Sequence, residues 1–113
     1  MSFSTHVLDT SLGCPATSVM VTLEQRDAIG QWQLIGGGET DRDGRIRALM
    51  PEEAAAATGE YRLTYATREY FQAAGIAALY PSVTVTVEAR EGRAHYHVPL
   101  LLGPFGYTTY LGT

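Results

Sequence analysis

Short runs of β-branched and aromatic residues, each cut off by a turn signal, constrain this chain more than any other feature. Ser18-Val19-Met20-Val21-Thr22-Leu23, Gln31-Trp32-Gln33-Leu34-Ile35, Tyr61-Arg62-Leu63-Thr64-Tyr65 and Val83-Thr84-Val85-Thr86-Val87-Glu88 all read as strands, several with clean alternation. Between them stand Leu12-Gly13-Cys14-Pro15, Asp27-Ala28-Ile29-Gly30, Gly36-Gly37-Gly38, Asp41-Arg42-Asp43-Gly44 and Glu91-Gly92, which supply the positive φ angles or Asx turns of tight reversals. The pattern predicts about eight strands in an all-β, antiparallel sandwich. It shows no internal repeat and no linker. With 113 residues the chain is expected to form a single domain over 1–113, with no cleft between lobes. One short helix is expected over Thr67 to Ala74, with Thr67 as N-cap, Tyr70, Phe71 and Ala74 on one stripe, and Gly75 as the stop. Pro51 to Ala57 lacks an apolar stripe and is expected to make at most a turn of helix.

Composition narrows the function. The residues are 45% hydrophobic and 18% charged, a soluble globular balance, and no run approaches the roughly 20 apolar residues of a membrane span. Met1 to His6 has neither a basic nor an apolar secretory region, so a cytoplasmic protein is expected. Eight arginines, no lysine and twelve acids give a net charge of −4 and no basic patch for nucleic acid. Cys14 is the one cysteine, and it is expected to be a small loop residue rather than part of a disulfide or zinc site.

The end of the chain carries the most chemistry. As a strand, His95 to Leu102 puts Tyr96, Val98, Leu100 and Leu102 on one face and His95, His97, Pro99 and Leu101 on the other. The first face is core. The second is too apolar for water and too polar for a core, so it is expected to lie against another subunit or to line a ligand cavity. Thr5 and Val7 likewise oppose His6 and Leu8, and Thr108 and Tyr110 oppose Phe105, Tyr107 and Thr109. Histidine titrates near neutral pH and suits proton transfer, although a lone histidine is more often structural. His95 and His97 also have the i, i+2 spacing of a metal pair, which would need His6 or Asp9 as third ligand. Asp43-Gly44-Arg45 reads most plainly as a hairpin turn with an exposed arginine. No Gly-x-Ser-x-Gly elbow, phosphate loop or glycosidase carboxylate pair is present.

Both ends of the chain then resemble one family. Ser4-Thr5-His6-Val7-Leu8-Asp9-Thr10, followed by Gly13 and Pro15-Ala16, is similar to the opening signature of the transthyretin-like 5-hydroxyisourate hydrolases. Tyr96-His97-Val98-Pro99-Leu100-Leu101-Leu102, Pro104, Gly106-Tyr107, Thr109-Tyr110 and Gly112 resemble their closing signature. Thr40, Asp43-Gly44-Arg45 and the stretch from Tyr70-Phe71 to Tyr80-Pro81 extend the likeness through the middle. The resemblance implies a prealbumin-like sandwich of two four-stranded sheets with one short helix, assembled as a homotetramer around a channel. It implies hydrolysis of 5-hydroxyisourate to 2-oxo-4-hydroxy-4-carboxy-5-ureidoimidazoline, without a cofactor or a metal. By that likeness His6, Arg45 and His97 are catalytic, and His6, Arg45, Tyr110 and Thr113 bind substrate; either histidine could be the base. His95 has no counterpart in the motif core and is expected to matter little. One position departs: the family ends Tyr-Arg-Gly-Ser, whereas this chain ends Tyr110-Leu111-Gly112-Thr113. A regular last strand would point Leu111 away from Tyr110 and the pocket. Transthyretin, a carrier, lacks the two histidines and the arginine kept here, so the chain looks nearer the enzyme than the carrier; given the Leu111 departure, the alternative is a catalytically weak transthyretin-like protein that binds a small planar ligand in the channel.

Overall fold

A computed structural model describes residues 1–51 and 57–113, and these described residues form two facing β-sheets with one short helix. The strands are β1 (Ser2–Asp9), β2 (Cys14–Pro15), β3 (Met20–Arg26), β4 (Trp32–Glu39), β5 (Arg45–Ile46), β6 (Gly59–Tyr65), β7 (Val83–Ala89), β8 (His95–Gly103) and β9 (Gly106–Thr109), with α1 (Thr67–Ala73) between β6 and β7. One sheet runs β4-β3-β6-β7, antiparallel throughout. The other runs β2-β1-β8-β9, and β5 pairs with β1 farther along the edge that β2 also uses. Each sheet is therefore four rows deep. The helical turn expected over Pro51 to Ala57 falls on residues 52–56, outside the described residues.

Alternation decides which side chains fill the gap between the sheets. Phe3 and Val7 from β1, Leu23 from β3, Tyr61 and Leu63 from β6, and Leu100 and Leu102 from β8 are fully buried there. Each such side chain is worth about 1.5–3 kcal/mol when removed from water. Phe3 packs its ring 4.6 Å from Tyr61 and 5.5 Å from Tyr96, centroid to centroid. Tyr65 reaches across the sheets to the Thr5 hydroxyl at 2.8 Å, and burial raises its pKa to about 12, so its O–H remains a donor.

Four local expectations are corrected. Gly36-Gly37-Gly38 is not a turn but the second half of β4: a Cβ at Gly36 would stand 1.9 Å from the Leu49 carbonyl oxygen, so glycine lets that later segment cross the strand. Thr67 does not cap the helix; Ala66 occupies the N-cap position without a side-chain bond, while the buried Thr67 hydroxyl turns toward the Tyr80 carbonyl. Ala74 is exposed, leaving Phe71 as the buried anchor of α1. Cys14 is exposed but lies in a strand, opposite Asp9 of β1.

Candidate active site

The parallel pairing of β1 with β8 builds the site. Its register sets Ser2 beside His95, Ser4 beside His97 and His6 beside Pro99, all on the face turned away from the core. On the other edge of β1, β5 places Arg45 opposite His6. That short strand is held by a turn in which Asp41 Oδ1 accepts the backbone N–H groups of Asp43 and Arg45 at 2.8 and 3.0 Å. The Arg45 N–H bond, foremost among favourable contacts, holds the Asp41 carboxyl below its usual pKa. Gly44 closes the turn with φ +76°, and a Cβ there would stand 2.4 Å from the Val7 carbonyl oxygen. Only glycine lets the turn lie this close to β1, with Val7 N–H donating to Gly44 at 2.7 Å.

A cleft of about 240 Å³ opens on this face, lined by Ser4, Arg45, Arg47, His95, His97 and Thr113 among others. All three histidines of the chain meet here, although the net charge is negative. His6 sits at the margin, its Nε2–H donating to the Asp43 carbonyl at 2.9 Å. His97 is half-buried, and Ser4 Oγ lies 2.7 Å from its Nδ1. Among the described residues its Nε2 has no protein partner. Burial first, then the charges of Arg45, His6 and His95, push the His97 pKa below its usual value. The ring is therefore neutral at pH 7 and can accept a proton.

The C-terminus is fitted against this ring. Gly112 N–H donates to the His97 carbonyl at 2.8 Å, and a Cβ at Gly112 would stand 2.6 Å from His97 Cδ2. The antiparallel register that pairs Leu100 with Thr109 and His97 with Gly112 would pair Pro99 with Tyr110. Proline has no N–H to offer, so β9 stops at Thr109 and the chain pairs again only at Gly112. The last strand is thus not regular to its end. Tyr110 and Leu111 both line a different groove, with Val85, Val87, Tyr96, Val98 and Thr109. Within one chain the structure brings together His6, Arg45, His97 and Thr113, and does not bring Tyr110 to them. It adds Ser4 and Arg47, to which the sequence gave no role, and His95, which was expected to matter little. The one sequence signal for Ser4 and His95 is that Ser2 and Ser4 alternate in phase with His6, as His95 does with His97. Among the described residues no three His, Cys, Asp and Glu side chains gather closely enough to hold a metal ion.

A two-sheet sandwich that presents two histidines and an arginine on the outer face of its β1/β8 sheet defines a transthyretin-like protein with a polar, proton-accepting cleft. The model of the HIUase/Transthyretin family matches residues 3–112, and the chain belongs to that family. The 5-hydroxyisourate hydrolase of Salmonella typhimurium is 44% identical over 110 residues, covering 97% of this chain and 79% of the relative. Among solved structures, the Klebsiella pneumoniae 5-hydroxyisourate hydrolase aligns with a TM-score of 0.86 and 30% identity over the whole of both chains. Sea bream transthyretin in complex with thyroxine aligns with a TM-score of 0.92 and 34% identity, covering 100% of this chain and 96% of that one.

Proposed function

We propose that this protein is an enzyme that hydrolyses 5-hydroxyisourate to 2-oxo-4-hydroxy-4-carboxy-5-ureidoimidazoline in urate breakdown. The observation that carries this reading is the cleft in which a neutral His97 stands with Arg45 and His6, in a chain so similar to hydrolases of that name. The backbone alone does not decide the matter, since a thyroxine-bound transthyretin shares it equally well. The side chains do favour the enzyme.

His97 is the base. Its unpartnered Nε2 takes a proton from water while the water oxygen bonds to a ring carbonyl carbon. His6 is the weaker candidate, because it stands at the margin, tied to the Asp43 carbonyl, while His97 lines the cleft. Arg45 and Arg47 form no ion pair among the described residues, and Arg45 holds the oxygen-rich substrate and stabilises the oxyanion that forms as the carbonyl opens. Cleavage of the ring C–N bond then gives the carboxyl and ureido groups of the product, the nitrogen taking up a proton. Thr113 in the cleft lining contributes a hydroxyl for substrate, and His6, paired with Arg45 across β1 and β5, a polar edge beside it.

We further propose that the working form is a cytoplasmic homotetramer. Phe105, Leu111 and Tyr110 are 70%, 54% and 52% exposed in the single chain, which is what a covered face looks like before it is covered. A partner's chain end is also the route by which Tyr110 would reach a cleft. Among the described residues no helix is long and apolar enough to cross a membrane. The test of the activity is to add freshly made 5-hydroxyisourate and follow its ultraviolet decay. Acceleration well above the spontaneous rate is expected, and decay at the spontaneous rate would return the protein to the carriers.

A further inference from the structure

We infer that the buried Ser4 hydroxyl links the ring protons of His97 and His95, so that Ser4 and His95 act as positioning residues for the base, an inference that rests on the hydrolase reading above. Ser4 Oγ lies 2.7 Å from His97 Nδ1 and 2.8 Å from His95 Nε2, and Ser2 Oγ lies 2.5 Å from His95 Nδ1. The β1/β8 register sets each of these serines beside its histidine, so the series Ser2, His95, Ser4, His97 is built into the ladder.

Ser4 has one hydrogen to give and is only 7% exposed, so water does not make up for a missing partner. If neither imidazole nitrogen bore hydrogen, one contact would be lost; if both did, Ser4 Oγ would accept from both and its own buried hydrogen would be left without an acceptor. Two arrangements satisfy both contacts and the Ser4 hydrogen as well. In one, His97 Nδ1–H donates to Ser4, Ser4 donates to His95 Nε2, and His95 Nδ1–H donates to Ser2; His97 Nε2 is then bare toward the cleft. In the other every hydrogen bond reverses and His97 Nε2 carries a proton. The first is the resting base.

The link also supplies a place for charge. As water gives its proton to His97 Nε2 and its oxygen bonds to the carbonyl carbon, the His97 Nδ1 proton passes to Ser4 and the Ser4 proton to His95 Nε2. His97 stays neutral and the positive charge rests on His95. His95 is exposed and hydrated, whereas His97 is half-buried beside Arg45 and His6, where a cation costs more. When the ring C–N bond breaks and its electron pair goes to nitrogen, that nitrogen takes the Nε2 proton and both relay protons return.

Nitrogen-15 NMR of histidine-labelled full-length protein tests the link directly, beside steady-state kinetics. The wild type is expected to show His97 and His95 both as the Nδ1–H tautomer when neutral. Ser4→Ala should free His97 to mix tautomers, and Ser4→Thr, which keeps the hydroxyl, should restore the wild-type pattern. With 5-hydroxyisourate, Ser4→Ala and His95→Gln should lower kcat roughly 10- to 100-fold with KM unchanged, the range seen when a partner orienting a functional histidine is lost. His95 is exposed, so His95→Gln answers even if Ser4→Ala folds poorly. An unchanged His97 tautomer in Ser4→Ala, or wild-type kcat in His95→Gln, would overturn the link. A wild type that leaves 5-hydroxyisourate decay unaccelerated would instead sink the hydrolase reading, and the NMR arms would still decide whether the two rings are coupled.

Discussion

At the residue scale the His97 ring is fixed from two sides, by the Ser4 hydroxyl at Nδ1 and by Gly112 against Cδ2. His97→Asn removes the proposed base and should lower the rate roughly 10²–10⁴-fold with the fold intact, read from 5-hydroxyisourate decay and circular dichroism. Gly112→Ala should lower kcat with little change in Tm, because the added methyl group displaces the ring rather than the core. A Gly112→Ala protein as fast as wild type would mean that the ring tolerates the shift. The His97 pKa, depressed by burial and then by Arg45, sets a pH limb as well: kcat/KM should fall as the solution is acidified, with a midpoint below 6.5. The same shift makes His97 a stabilising group above pH 6.5, its contribution being lost as pH falls through the lowered folded pKa, since the unfolded chain binds the proton first. A kinetic midpoint above 6.5 would remove His97 from the role. Alternation made His6 and His97 legible as neighbours on one outer face. Arg45 was not legible from spacing, because its position depends on the Gly44 turn docking against Val7, a contact far away in sequence. Ser4 was passed over because a serine near a histidine says nothing until the strand opposite is known.

At the element scale, residues of the opening signature prove to be structural ties. Asp9 is buried, yet hydrogen bonds from Ser11, Tyr70 and Leu12 outweigh that burial and hold its carboxyl below the usual pKa. Burial and the Asp9 charge push the Tyr70 pKa up in turn, so α1 is pinned to the end of β1 by a 2.7 Å bond from a phenol that stays protonated. Tyr70→Phe should therefore cost about 1.5–3 kcal/mol in urea unfolding while leaving kcat nearly unchanged. A loss of activity without a loss of stability would place the helix in the catalytic apparatus instead. Thr40 plays a comparable part, accepting from Val19 N–H and donating to the Ala16 carbonyl. The strands with β-branched alternation, such as β7, could be read directly from the sequence. The glycine run of β4 could not, since local propensity reports a turn where the real constraint is the Leu49 carbonyl crossing above. The end of β9 failed for a similar reason: alternation carries no sign that the opposing residue is a proline.

At the scale of the whole molecule, the exposed apolar end of the chain and the incomplete cleft point to one answer. Light scattering should give a mass near four chains, and a clean monomer at micromolar concentration would leave Tyr110 with no cleft to enter. Leu111 lies in the groove with Val98 and Val87, so Leu111→Arg should raise activity only modestly, while Tyr110→Ala should lower it more. If Leu111→Arg turns a slow protein into a fast one, position 111 as well as Tyr110 faces the substrate in the assembly and the leucine is a brake. The pairing of β1 with β8 has a consequence in time as well. The β4-β3-β6-β7 sheet joins strands close in sequence, but Ser4 meets His97 across 93 positions. During synthesis the first sheet can therefore assemble while β1 still waits, unpaired along its inner edge, for a partner not yet made. The cleft is among the last features to exist, so a nascent chain carries the sandwich's scaffold before it carries any chemistry, and pulse-labelled amides of β1 should be the late ones to gain protection.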